Sequence, residues 1–189
     1  QRDLSVSYNK IGDAQMGRDD TAAAVVAAYQ QSLAIRERLA QADTANAAAQ
    51  RDLAFSYERM GNVTLQQDDT QAALKFYQQE FELLKRLADN NPTNSAAQRA
   101  LSVVYEKIGD AQMTLGDTAA AVAAYQQSLA IRERLAQADP ANAAAQRDLS
   151  ISYNKIGDAQ MTLGDTAAAL AAYQQSLAIA GRLAQADPA

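Results

Sequence analysis

Apolar residues recur along this chain at three- and four-residue intervals, and the pattern is interrupted at regular points by Gly-Asp or Asn-containing stretches. Near the C-terminal end, Leu149, Tyr153, Ile156 and Gln160 fall on one side of a helix, the spacing of a single buried face. Asn142, ahead of Ala-Ala-Ala-Gln-Arg, reads as its N-cap. Gly164 suits the left-handed residue that closes such a helix, and Asp165 caps the next. That second helix runs through Leu170, Tyr173, Leu177 and Leu183 and stops at Asp187-Pro188, because proline cannot continue it. The same plan places first-helix caps at Asn46, Asn94 and Asn142 and second-helix caps at Asp20, Asp69, Asp117 and Asp165. It predicts eight antiparallel helices of about 20 residues, each about 30 Å long, with short connections.

The pattern is a repeat. Gln1-Arg2-Asp3-Leu4 recurs at Gln50, Gln98 and Gln146, which divides the chain into repeats 1–49, 50–97, 98–145 and 146–189. The last two are identical at 37 of 44 compared positions, the mark of a recent duplication. The first carries one extra residue between Thr21 and Tyr29, which the sequence places around Val25-Val26. One helical hairpin of this kind cannot bury its apolar stripe alone. Stacking of neighbours therefore predicts an all-α solenoid of four helix-turn-helix repeats forming an open right-handed superhelix. Small residues at Gly157, Ala169 and Ser176 would let helices approach closely. Glu80 stands where other repeats have Ser32, Ser128 and Ser176, so its carboxylate either reaches solvent or loosens the packing.

Composition narrows the function classes. The 189 residues include no His, no Cys and no Trp. Imidazole bases, thiol nucleophiles, disulfides and the usual zinc, haem and iron-sulfur ligands are therefore excluded. A net charge of −5 argues against a binder of nucleic-acid phosphates. No apolar run is long enough for a transmembrane span or a signal-peptide core, so a soluble, cytoplasmic chain without membrane contact is expected. The missing initiator Met suggests a piece of a longer protein.

The stretch Tyr153-Asn-Lys-Ile-Gly157, followed by Leu163-Gly164-Asp165, Ala169, Tyr173, Ser176 and Leu177, resembles the tetratricopeptide repeat. The frame recurs at Tyr8, Gly12 and Tyr29, at Tyr57, Gly61 and Tyr77, and at Tyr105, Gly109 and Tyr125. The period of 48 exceeds the family's usual 34, and the helix-ending proline is absent at Glu37, Lys85, Glu133 and Gly181. About two extra turns per helix account for the difference, a long-helix form similar to arrays in bacterial multidomain proteins. The resemblance implies a concave face built mainly from the first helix of each repeat, holding a peptide or protein partner.

Projected onto that face, the family positions fall on Arg2, Asn9 and Asp13; Arg51, Glu58 and Asn62; Arg99, Glu106 and Asp110; and Arg147, Asn154 and Asp158. Spacings of seven and four put each trio on one helical side. The family's carboxylate clamp would need Lys and Asn at the last two places, which this chain does not offer. The trios instead suit a partner with separated charges, including a basic patch near Glu106 and Asp110, or are simply solvated polar residues. The second repeat holds all three Phe. Phe81 replaces Leu33, Leu129 and Leu177 and reads as core; Phe76 is open; Phe55 is either an aromatic anchor for a partner or a local change of packing. The candidate partner-binding set is thus Arg51, Phe55, Glu58, Asn62, Arg99, Glu106, Asp110, Arg147, Asn154 and Asp158.

Carboxylates such as Glu106, Asp110 and Asp158 could in principle pair for glycoside chemistry. No phosphate loop, metal-ligand cluster or oxyanion arrangement accompanies them, so the chain is read as a non-catalytic scaffold without cofactor or metal. The alternative is a self-associating spacer. The last repeat replaces Arg132-Glu133 by Ala180-Gly181, a less polar end that could meet the first repeat of another copy head to tail.

Overall fold

The computed structural model describes residues 1–16 and 22–186. It contains eight helices: α1 (Arg2–Met16), α2 (Ala22–Ala42), α3 (Ala47–Gln66), α4 (Thr70–Asn90), α5 (Ser95–Thr114), α6 (Thr118–Ala138), α7 (Ala143–Leu163) and α8 (Thr166–Ala186). There is no strand among the described residues. The helices form two compact units, unit 1 (Gln1–Asn91) and unit 2 (Pro92–Ala189), each made of two repeats. Within unit 1, α1 packs on α2, α2 on α3 and α3 on α4; unit 2 repeats this with α5 to α8. The all-α helical-repeat architecture expected from the periodicity is what forms.

Local chemistry explains the boundaries. The side chain of Asn46 accepts from the backbone N–H groups of Ala48 and Ala49, and Asn94 and Asn142 accept from Ala97 and Ala145. Asp69, Asp117 and Asp165 cap the second helices in the same way, through Ala72, Ala120 and Ala168. Each such cap is worth about 1 kcal/mol. Gly116 and Gly164 adopt φ of 81° and 82°, as their C-cap role requires. In the second repeat Asp68 occupies the equivalent turn at φ 60°, a conformation Asp tolerates better than most side chains. The cap expected at Asp20 and the stop at Asp187-Pro188 lie outside the described residues.

One packing device recurs in every hairpin. A Cβ added to Gly12, Gly61, Gly109 or Gly157 would run into the ring of Tyr29, Tyr77, Tyr125 or Tyr173. The absent side chain leaves room for the tyrosine ring to close on the first helix. Ala73, Ala121 and Ala169, four residues before three of these tyrosines, are fully buried.

The extra residue of the first repeat does not interrupt α2, which runs unbroken from Ala22. Counted back from Tyr29, Val25 takes the place of the buried alanines and is itself 3% exposed, packed in a cluster with Tyr29, Met60 and Val63. Val25-Val26 thus lies within a continuous helix in the register that Tyr29 sets, and residues 17–21 ahead of it lie outside the described residues. Glu80 does not reach solvent: it is buried, with 5% exposure.

Candidate functional site

In each unit two ion pairs join the first helices. In unit 1, Arg2 Nε donates to Asp52 Oδ2 at 2.7 Å, and Arg59 forms an ion pair with Asp13. In unit 2, Arg99 Nε donates to Asp148 Oδ2 and Lys155 Nζ to Asp110 Oδ1, both at 2.6 Å. The second helix of each repeat donates a tyrosine hydroxyl to the Asp or Asn that follows the first-helix glycine. Tyr29 donates to Asp13 at 2.7 Å, Tyr77 to Asn62 at 2.9 Å, Tyr125 to Asp110 at 2.6 Å and Tyr173 to Asp158 at 2.7 Å. The recurring Asp or Asn at this position is thus the acceptor for the tyrosine that covers the glycine.

Behind this layer each unit buries an arginine. Arg36, 5% exposed, donates from Nε to Ser5 Oγ and from a terminal nitrogen to the Asp52 carbonyl and Ser56 Oγ. In the amide orientation that satisfies its neighbours, Asn9 accepts from Arg36 at 3.0 Å and donates to Ser32 Oγ at 2.9 Å. Arg132, 4% exposed, makes the matching bonds to Ser102, the Asp148 carbonyl and Ser152. Here the residue at the Asn9 position is Glu106, whose carboxylate pairs with Arg132 at 2.6 Å and accepts from Ser152 at 2.9 Å.

Titration behaviour follows these surroundings. Burial holds Arg36 below the usual guanidinium value, opposed in part by Asp52. Burial also pushes Glu106 up, opposed by Arg132. Desolvation and then the Asp13 hydrogen bond push Tyr29 up to about 12. Tyr57 and Tyr153 also rise to about 12, through burial and hydrogen bonds to Glu37 and Glu133. Tyr125, over Asp110, is raised further still.

The ten candidate residues separate by what they touch. Asn62, Asp110 and Asp158 receive tyrosine hydroxyls, and Arg99 pairs with Asp148. Glu106 is turned inward, its side chain only 12% exposed. The basic partner patch expected near Glu106 and Asp110 therefore meets carboxylates already answered by Arg132 and Lys155. Arg51, Arg147 and Asn154 are exposed, and Glu58 is half-buried. Phe55 is 38% exposed, with the guanidinium carbons of Arg59 and Arg36 at 4.8 and 5.6 Å from its ring centroid. Phe76 is half-buried and stacks on Tyr57, and Phe81 is half-buried. At the Phe55 position of other repeats Val6 and Ile151 are 38% and 42% exposed, so a first-helix apolar residue stays open in each unit.

The sequence reading missed Arg36, Arg132, Arg59 and Lys155. A signal existed: Arg36 and Arg132 recur at one position where the other two repeats have Leu84 and Ala180. Their burial could not be read from an exposed-looking Arg-Glu-Arg stretch. Among the described residues no group of three or more acidic side chains is arranged to hold a metal ion. No helix among them is long and apolar enough to cross a membrane.

Residues 103–134 and 151–182 match the family model for the tetratricopeptide repeat. These two segments are tetratricopeptide repeats. The glycine-tyrosine contact, the Asp or Asn acceptor and the aspartate-capped second helix of these tetratricopeptide repeats recur in the hairpin of 50–97, and the contact and acceptor in that of 1–49. Among solved structures, the chain is similar to the crystal structure of BtubC (BKLC) from P. vanneervenii, at 17% identity and a TM-score of 0.74. That likeness covers 97% of this chain and 66% of the other, so the chain spans just under two thirds of that protein's length. Two crystal structures of MamA are similar at 19% and 18% identity, covering 93% and 98% of this chain and 97% and 96% of those chains, with TM-scores of 0.47 and 0.48. No curated protein matches in sequence. Likeness at these identities speaks to the fold alone. Tetratricopeptide repeats are in general non-catalytic and mediate protein interactions.

Proposed function

We infer that the chain is a non-catalytic scaffold that binds a peptide or protein segment along the first-helix face of its repeats. The observation that carries this reading is the Phe55 ring, 38% exposed and held from behind by the Arg36 and Arg59 guanidinium groups. An aromatic anchor in a fixed polar frame is the usual make-up of an energetically dominant contact. Arg51, exposed one helical turn before Phe55, suits an acidic group on the partner. In unit 2, Ile151 with exposed Arg147 and Asn154 offers a second, aliphatic station. Glu106, Asp110, Asn62, Asp158 and Arg99 hold the helices in place rather than meeting the partner directly. Glu58, half-buried beside Phe55 on α3, borders the contact.

The test is selection from a display library of random linear peptides against the chain. Enriched peptides should pair an apolar anchor with an acidic residue and lose at least about tenfold in affinity for Phe55→Ala, about 1.4 kcal/mol. Enrichment of nothing, or binding indifferent to Phe55, would refute the reading.

A further inference from the structure

The extra turns of the helices line a pocket. In unit 2 it lies between the last turns of α6, the first turns of α7 and the last turns of α8, with a volume of about 610 Å³. Most of its lining falls outside residues 103–134 and 151–182, the segments that match the family model. Ala136, Leu149, Tyr153, Ile179 and Leu183 form an apolar wall. Tyr153 donates its hydroxyl to Glu133 at 2.8 Å, and Gln146 Nε2 donates to the Ala136 carbonyl at 3.2 Å. Arg182, exposed in the same lining, makes no hydrogen bond or ion pair among the described residues. The pocket recurs in unit 1, in a repeat that further helices follow along the chain, so it is built by the repeat and not by the end of α8. There it is divided into volumes of about 300 and 100 Å³ that meet at Thr44, Gln50, Leu83 and Arg86. Glu82 and Asn90 line it where unit 2 has the smaller Ala178 and Ala186, and Arg86 Nε is turned back onto the Glu82 carbonyl at 3.2 Å. The shorter side chains open the pocket in unit 2 and leave its guanidinium available.

We propose that the unit 2 pocket binds a small apolar monoanion, its hydrocarbon body against Leu149, Tyr153, Ile179 and Leu183 and its anionic group on the Arg182 guanidinium. A concave, mostly apolar site of this volume suits a small molecule, whose apolar body drives binding while one placed charge orients it. An anion is preferred to a cation because Glu133, the carboxylate of the lining, already accepts from Tyr153, whereas the Arg182 donors are unanswered among the described residues. Phe55 belongs to unit 1, so this site does not rest on the peptide-binding reading.

The probes are anilinonaphthalene sulfonate and phenylnaphthylamine, the same ring pair without the sulfonate, each titrated into the 189-residue chain and read by fluorescence. The sulfonate should bind saturably. Arg182→Ala should weaken it at least about tenfold, the worth of a charge-assisted contact, and leave the neutral dye unchanged. Ala178→Glu combined with Ala186→Asn, which installs the side chains of unit 1, should abolish saturable binding of both dyes. These positions are exposed, so the helical content of each variant should match the parent chain. Absence of saturable binding would overturn the proposal. Binding indifferent to Arg182→Ala or to the narrowed variant would overturn it too, and would place the dye on an open apolar face such as Leu170 and Leu177. Phe55→Ala should leave dye binding unchanged, which separates this result from the peptide-binding reading, and a loss there would move the dye to unit 1 and contradict the proposal.

Discussion

Units 1 and 2 bury an arginine in the same cage of two serines and one backbone carbonyl, yet they answer its charge differently. Unit 1 places the neutral amide of Asn9 beside Arg36, whereas unit 2 places the carboxylate of Glu106 beside Arg132. The comparison separates two ways of keeping a guanidinium out of water. A cage of neutral acceptors is sufficient, and its cost appears as an Arg36 held below its usual value. A carboxylate strengthens the attraction but must itself be desolvated, which appears as a raised Glu106. The carboxylate also links three helices, because Glu106 on α5 meets Arg132 on α6 and Ser152 on α7.

The largest expected consequence is an asymmetry between equivalent truncations. Arg132→Ala leaves Glu106 charged and buried without its partner and should cost about 3–5 kcal/mol. Arg36→Ala leaves only neutral acceptors unsatisfied and should cost about 1–3 kcal/mol. Urea unfolding gives the sizes, and amide hydrogen exchange should place the losses in α5 to α7 and in α1 to α3 respectively. Equal costs would remove the distinction between the units.

A smaller effect is set by alkaline pH. Tyr29, Tyr57 and Tyr153 titrate near 12 in the folded chain and near 10 when unfolded. A group raised on folding favours its protonated form there, so the stabilisation is complete below about pH 10 and is lost as pH rises through about 12. Thermal melts should be flat from neutral pH to about 9 and fall steeply above 10, and ultraviolet difference titration should find Tyr125 ionising after Tyr29, Tyr57 and Tyr153. Smallest of all is the exposed pair of Arg99 and Asp148. Arg99→Ala should cost under about 1 kcal/mol by urea unfolding, and added salt should erase most of that difference.

Much of the fold was legible because its determinants are local. The Asn and Asp caps, the glycines of the turns and the spacing of Leu149, Tyr153 and Ile156 act within a few residues of the chain. At Val25-Val26 the sequence shows a surplus residue but not its register, which Tyr29 sets against Gly12 in another helix. The candidate site was less legible for the same reason. Asp13, Asp110 and Asp158 share a helical side with Asn9, Glu106 and Asn154, and the sequence pattern shows that side as one polar stripe. Tyr29, Tyr125 and Tyr173 reach into that stripe from the second helices, and Arg59 and Lys155 from the next repeat. Glu106 left the candidate surface when Arg132 arrived from α6. Phe55, which the sequence left between a partner anchor and a local change of packing, is 38% exposed.

A double-mutant cycle on Glu106 and Arg132 tests most directly whether the buried pair holds unit 2 together. Glu106→Asn reproduces the residue of unit 1 and Arg132→Leu the residue found at Leu84, so both replacements are ones the repeat already uses. The account predicts a coupling of about 1.5–3 kcal/mol, the double variant being far less destabilised than the sum of its parts. Additivity within about 0.5 kcal/mol would contradict it and leave Glu106 as a polar bystander.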